Sequence, residues 1–276
     1  MSNTHPVSTP LHKMIKLNSS PDSMGPMTEV PYTKVIGSLM YAALSTWPDL
    51  AFAIQHLSQF ITSYGAEHWT TIKRVLRYLK GSCDDGITFT QDAGLDLKIF
   101  IDSDYANIMD VLSINSYMAI LGGGAIAWSS KKQQTIASST MEPEYMALTE
   151  GTKQLIWLRH FIRELGIDQS QLMSLRSDNL GTITLSQDVT YHVHTKHINV
   201  TYHFICEKVA SHEAALTYVP MKEKTADILT KGLKLHQHCY LMGKLGFGAR
   251  NFLLRGSVGN SIKNNYQSPT AKLGGT

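Results

Sequence analysis

The sequence lacks a long apolar run: among its 276 residues no stretch approaches the ~18 consecutive apolar residues of a membrane-spanning helix, so no spanning segment is expected. It opens MSNTHPVSTP, without the basic start and apolar core of a secretory signal. Cysteine is scarce. Cys83, Cys206 and Cys239 are odd in number and far apart, which reads as reduced thiols of an intracellular protein rather than a disulfide frame. An excess of one charge is also missing: 25 Lys and Arg stand against 22 Asp and Glu, a net +3. That excludes a strongly basic nucleic-acid-binding tail and names no partner by itself. What is present is a 43% share of hydrophobic residues, enough for a core and too much for a disordered chain.

Four regions follow from composition. Residues 1–30 are rich in Ser, Pro, Thr and Asn and read as a loose, flexible leader. Residues 31–94 read as helical. Val35 to Leu44 is a short apolar helix, Pro48 suits a helix start, and Leu50, Ile54, Leu57 and Ile61 repeat at helical spacing. From Glu67 to Lys80, Trp69, Ile72, Leu76 and Leu79 share one face. The other face carries Lys73, Arg74, Arg77 and Lys80, which suits either a phosphate backbone or plain solvation. Residues 95–235 alternate strands and helices. Residues 236–276 read as a tail, largely irregular at its end.

In the third region, Leu97 to Ile101 is a strand running into Asp102. Gly122-Gly123-Gly124 marks a hairpin. A helix from Met141 to Leu165 points Tyr145, Leu148, Thr152, Leu155, Phe161 and Leu165 to the core. Leu172 to Ser177 is a strand running into Asp178. A helix spans Thr195 to Ala210, a strand Ala215 to Val219, and a short helix Thr225 to Lys231. A helical crossover between the two Asp-ended strands predicts that they lie parallel, in a mixed α/β sheet whose site forms at the strands' C-terminal ends. Strand-end aspartates also start turns. Glu144, in the first turn of the long helix, suits the helix dipole as well as a site, and Asp227 reads equally as a surface acid beside Lys222 and Lys231. Four acids drawn together repel unless cations lie among them. Mg²⁺ and Mn²⁺ take such oxygen ligands, and a pair of them can drive phosphodiester hydrolysis.

The motifs YTKVIGSLMYAALSTWPDLAFAI, HWTTIKRVLRYLKGS, IDSDYA, WSSKKQQTIASSTMEPEYMAL, SDN, TKHINVTYHFICEKV and YVPMKEKTADILTK occur in that order. From about His5 to Phe247 the chain resembles the C-terminal part of the Pol polyprotein of copia-type LTR retrotransposons. The resemblance implies the helical end of a reverse transcriptase followed by a ribonuclease H domain with a mixed five-stranded sheet. It places metal-binding, catalytic carboxylates on Asp102, Glu144, Asp178 and Asp227, with Asp104 competing with Asp102 and Glu142 with Glu144. It implies two Mg²⁺ or Mn²⁺ ions, no small-molecule cofactor and cleavage of the RNA strand of an RNA–DNA hybrid, which is read by shape and backbone. Ser130, Lys131 and Lys132 after the hairpin, and the Lys73 to Lys80 face, become phosphate contacts. The reverse-transcriptase core of the same element becomes a partner, and the setting cytoplasmic, nuclear or within virus-like particles. The family's YVDD-type polymerase acids are absent, so no polymerase activity is expected.

The chain departs from the family between the first acid and the hairpin, where it reads NIMDVLSINSYMAI. Ser116 stands for a glycine and a basic residue is gone. Leu180-Gly181-Thr182 replaces Gln-Ser-Ala. Such drift favours a second reading, a non-catalytic remnant or scaffold that keeps the fold. A transposase or integrase relative would carry a Glu on its final helix, where this chain has Asp227. His192, His194, His197 and His203 could suggest zinc, but His197 and His203 belong to the TKHI and YHF runs and read as packing.

Overall fold

The computed structural model describes residues 4–13, 15, 17–18, 30–104, 112–133, 141–169, 173–187 and 199–249. Helix α1 (Tyr32–Ser45) buries Tyr32, Ile36, Leu39 and Ala43, the i, i+4, i+7 stripe of an amphipathic helix. A 3-10 turn at Pro48–Leu50 leads into α2 (Ala51–Ser58). Helix α3 (Ala66–Gly81) buries His68, Thr71, Ile72, Val75 and Tyr78. Its buried line is therefore rotated from the expected one: Trp69, Leu76 and Leu79 are only partly covered.

The first residues are not a loose leader where they are described. Leu11 and Leu17 are buried in the core of α1–α3. Arg74 Nη2 donates to Thr9 Oγ1 at 2.9 Å, and Lys80 Nζ to the Thr4 carbonyl at 3.1 Å. Isolated apolar residues in a polar stretch gave no periodic signal for this packing.

After α3 come β1 (Asp85–Ile87), then β2 (Lys98–Asp104), β3 (Ile114–Leu121) and β4 (Gly124–Lys132). Gly122 and Gly123, at φ +59 and +78, make the two-residue β3–β4 turn, a conformation that favours glycine at both positions. Helix α4 (Met141–Glu164) crosses to β5 (Ser174–Ser177). Then follow α5 (Leu180–Gln187), α6 (Asn199–Ala210), β6 (Ala215–Tyr218), 3-10 turns at Met221–Glu223 and Thr225–Leu229, α7 (Leu235–Lys244) and β7 (Phe247–Ala249).

The five-stranded sheet has the order β4-β3-β2-β5-β6. β2, β3 and β4 are antiparallel neighbours, while β2–β5 and β5–β6 are parallel. This is the mixed α/β sheet expected. Side-chain parity along β2 divides its faces. Ile99 and Ile101 pack with Leu148, Leu155, Leu158 and Ile162 of α4 and Tyr202 and Ile205 of α6. Phe100 packs on the other side with Val219, Ile228, Leu241 and Phe247.

Three expectations differ. The core line of α4 continues through Leu158 and Ile162, leaving Phe161 and Leu165 largely exposed, because 3.6 residues per turn carries position 161 off the face set by Leu148 and Leu155. Helix α5 went unforeseen. The expected C-terminal tail includes α7 and β7, and β7 pairs antiparallel with β1. Residues 250–276, and His192, His194 and His197, lie outside the described residues. No helix among the described residues is long and apolar enough to cross a membrane.

Candidate active site

The parity that sends Ile101 toward α4 sends Asp102 to the opposite face, beneath residues 224–231. Its carboxylate is 2% exposed. Asp178 follows β5 directly, and because β2 and β5 are parallel neighbours, both acids emerge at the same end of the sheet. A buried cation joins them: Lys224 Nζ is ion-paired with Asp102 Oδ1 and donates to Asp178 Oδ1 at 2.5 Å. The second oxygen of Asp102 accepts the Thr230 hydroxyl at 2.5 Å. Burial pushes the Asp102 carboxyl up, but Lys224, Lys231 and these hydrogen bonds outweigh it and hold the acid below its usual range. For Lys224, burial works against the charge and the two aspartates overcome it, so its ammonium is held above the ordinary value.

Glu144 and Asp227 face the same cluster. Glu144 is raised to about 7, first by burial and then by Asp102 and Asp178, against the pull of Lys224 and a hydrogen bond with Asn179. Asp227 is raised to about 6 by burial and Asp102, opposed by Lys231. Lys231 Nζ lies 3.0 Å from Asp227 Oδ1, though off the line of a good hydrogen bond. Asp227 is buried, which corrects its reading as a surface acid. Asp102 is therefore the acid the others share: Glu144 and Asp227 lie within its electrostatic reach, and Asp178 is joined to it through Lys224. Asp104, on the same parity, is raised by burial and by Asp102 and forms the rim.

The donor set is all oxygen, the chemistry that suits hard divalent cations. As the side chains stand, no group of three or more His, Cys, Asp or Glu among the described residues is arranged to hold a metal; the ammonium of Lys224 is the cation between the two aspartates.

Local sequence explains the neighbours. Asn179 Oδ1 accepts the Thr182 N–H at 3.0 Å, capping α5, so the unusual Leu180-Gly181-Thr182 stretch still starts a helix. Ser116 lies opposite Asp102 in the β2–β3 register, and its hydroxyl donates to the Asp102 and Ala226 carbonyls at 3.3 and 3.5 Å. Ser116 thus ties the sheet to the Asp227 turn.

The expected phosphate contacts divide. Lys131 is exposed and, with Asn115, Lys132, Gln133 and Glu150, lines a groove of about 310 Å³ between β3–β4 and α4. Lys132 Nζ donates to Gln59 Oε1 at 2.7 Å, and Ser130 Oγ is buried without a hydrogen bond. On α3, Lys73 is exposed and Arg77 half-buried. Arg74 is spent on His12 and Thr9 and Lys80 on the Thr4 carbonyl, so the cationic face anchors the first residues at these two positions. Sequence reasoning missed Lys224 and Thr230. The signal was their spacing, three residues before and three after Asp227, in a turn otherwise filled by Thr225, Ala226, Ile228 and Leu229.

No family model matches the chain. Among curated proteins, it is 41% identical over 237 residues to the "Retrovirus-related Pol polyprotein from transposon TNT 1-94" of Nicotiana tabacum, covering 84% of this chain and 18% of that protein. It is 36% identical over 234 residues to the corresponding transposon RE2 polyprotein of Arabidopsis thaliana, covering 84% and 16%. The chain thus spans less than a fifth of the length of these relatives. Among solved structures, the N-terminal RNase H domain of rv2228c from Mycobacterium tuberculosis is similar at a TM-score of 0.37 and 14% identity, covering 50% of this chain and 91% of that one.

Proposed function

The chain belongs to the retrovirus-related Pol polyproteins of transposons, and on that premise we propose that it is a copia-type ribonuclease H unit that hydrolyses the RNA strand of an RNA–DNA hybrid. The observation that carries the reading is the bridging of Asp102, from β2, and Asp178, at the end of β5, by one buried positive charge, with Glu144 and Asp227 each within the electrostatic reach of Asp102. Asp102, Glu144, Asp178 and Asp227 would hold two Mg²⁺ or Mn²⁺ ions; when bound, such a pair supplies an activated water and stabilises the leaving oxygen.

The chain's own residues supply the rest. Thr230 fixes one oxygen of Asp102. Asn179 orients Glu144 while capping α5. Exposed Lys131, at the groove between β3–β4 and α4, meets a phosphate of the duplex, whose A-like shape and 2′-hydroxyls are read rather than its bases. The reverse-transcriptase core of the same element is the natural partner for α1–α3.

The test is a strand-labelled hybrid incubated with the purified chain and Mn²⁺. Cleavage confined to the RNA strand, stopped by a chelator and absent on duplex DNA, is expected. A second reading, a non-catalytic scaffold, is favoured by Lys224, whose ammonium already stands between Asp102 and Asp178. An intact hybrid at every cation concentration would select it.

A further inference from the structure

The acid cluster contains a cation that the chain supplies itself. Lys224 is 6% exposed, and a buried ammonium is costly unless its charge is met. Asp102 Oδ1 and Asp178 Oδ1 meet it. The same argument runs from the acids: packed carboxylates need positive charge among them. Lys224 and Lys231 provide two positive charges against the four acids Asp102, Glu144, Asp178 and Asp227. One oxygen of each bridged aspartate is thereby occupied by the ammonium.

Lys224 lies between two 3-10 turns, with extended backbone at φ −70, ψ 90, and carries its charge on a four-carbon stem with several rotatable bonds. Its two partners differ in access: the Asp102 side chain is 2% exposed and that of Asp178 18%. Solvent is therefore reached past Asp178. A hard divalent cation prefers the same carboxylate oxygens, and its charge repels an ammonium held on them at hydrogen-bond distance.

We infer that Lys224 is an internal counter-ion that holds the acid cluster together without divalent cations and is expelled past Asp178 when they bind. The inference rests on the two-cation reading above. Lys224 is then a positioning residue, because it acts on the carboxylates and touches no substrate.

The experiment titrates the full chain with Mn²⁺ by calorimetry and, in parallel, reads amine acylation at each lysine by mass spectrometry. Lys224 should be protected in chelator and become reactive as Mn²⁺ saturates, while exposed Lys131 stays constant. Lys224→Gln should bind Mn²⁺ about tenfold tighter, ~1.4 kcal/mol, having no charge to expel. If Lys224 stays protected at saturating Mn²⁺, the inference is overturned whatever the variant does, and the footprint on the wild-type chain carries the test should the variant not fold. If Mn²⁺ binds with neither chain, the two-cation reading falls as well. Tight, equal binding by both chains overturns the counter-ion alone.

Discussion

Replacing Asp49 with Asn should stabilise the protein, and only above its titration range. Asp49 lies in the Pro48–Leu50 turn and is 2% exposed. Burial, reinforced by Asp85, raises its carboxyl from 3.8 to about 6. The Tyr78 hydroxyl and backbone groups pull the other way, but Tyr78 also engages His238 Nε2 at 3.2 Å. His238 Nε2 lies 3.9 Å from Asp49, yet burial pushes its pKa down to about 4. It is neutral near pH 7 and offers no ion pair. The folded pKa of Asp49 exceeds the unfolded one. The favourable contribution of its protonated form is thus complete below 3.8 and lost as pH rises through about 6. Two pKa units correspond to ~3 kcal/mol. Asp49→Asn, of the same shape and neutral, should therefore gain about 3 kcal/mol over wild type at pH 8, with the gain shrinking as pH falls from 6 towards 4. Urea unfolding of both proteins from pH 5 to pH 8 measures it. A variant less stable at pH 8, or a difference independent of pH, would show that the buried anion is paired and refute the reasoning.

Other substitutions test the fold and the interface. Gly246, at φ +67, would place a Cβ 2.6 Å from the Gly123 carbonyl and 2.7 Å from that of Thr88; Gly246→Ala should cost about 2–4 kcal/mol in chemical unfolding, and a neutral result would contradict the packing of β7 on the hairpin. Lys131→Ala should weaken hybrid binding at every sequence and lower the salt-dependence slope by about one, read by fluorescence anisotropy across a salt series. Arg74→Ala should leave that slope unchanged while lowering the thermal midpoint, since its guanidinium is committed to His12 and Thr9; a lost phosphate contact would restore the cationic-face reading of α3.

What could be read from the sequence was what is local and periodic. The short apolar run of β2, the paired glycines of the hairpin and the apolar spacing of α4 each specify their element within a few residues. The parallel neighbours β2 and β5 followed from the helical crossover. What escaped was non-local. β1 is the tripeptide Asp-Gly-Ile, and nothing within it announces a partner at Phe247–Ala249. The burial of Leu11 depends on a core built by α1–α3. At the site, the four acids stood out by position at strand ends and helix starts. Lys224 did not: beside Glu223 it reads as a solvated pair, and it is buried only because Asp102 and Asp178 arrive from strands distant in the chain. The same holds for Arg74, whose role as an anchor depends on residues far from α3.

The most direct test of the central claim is a side-by-side cleavage assay of wild type and Asp178→Asn on an RNA–DNA hybrid with saturating Mn²⁺, both confirmed folded by circular dichroism. Wild type should cleave the RNA strand and the variant should not, because Asn keeps the shape at the end of β5 and removes the charge. Equal rates in the two proteins, or none in either, would contradict it.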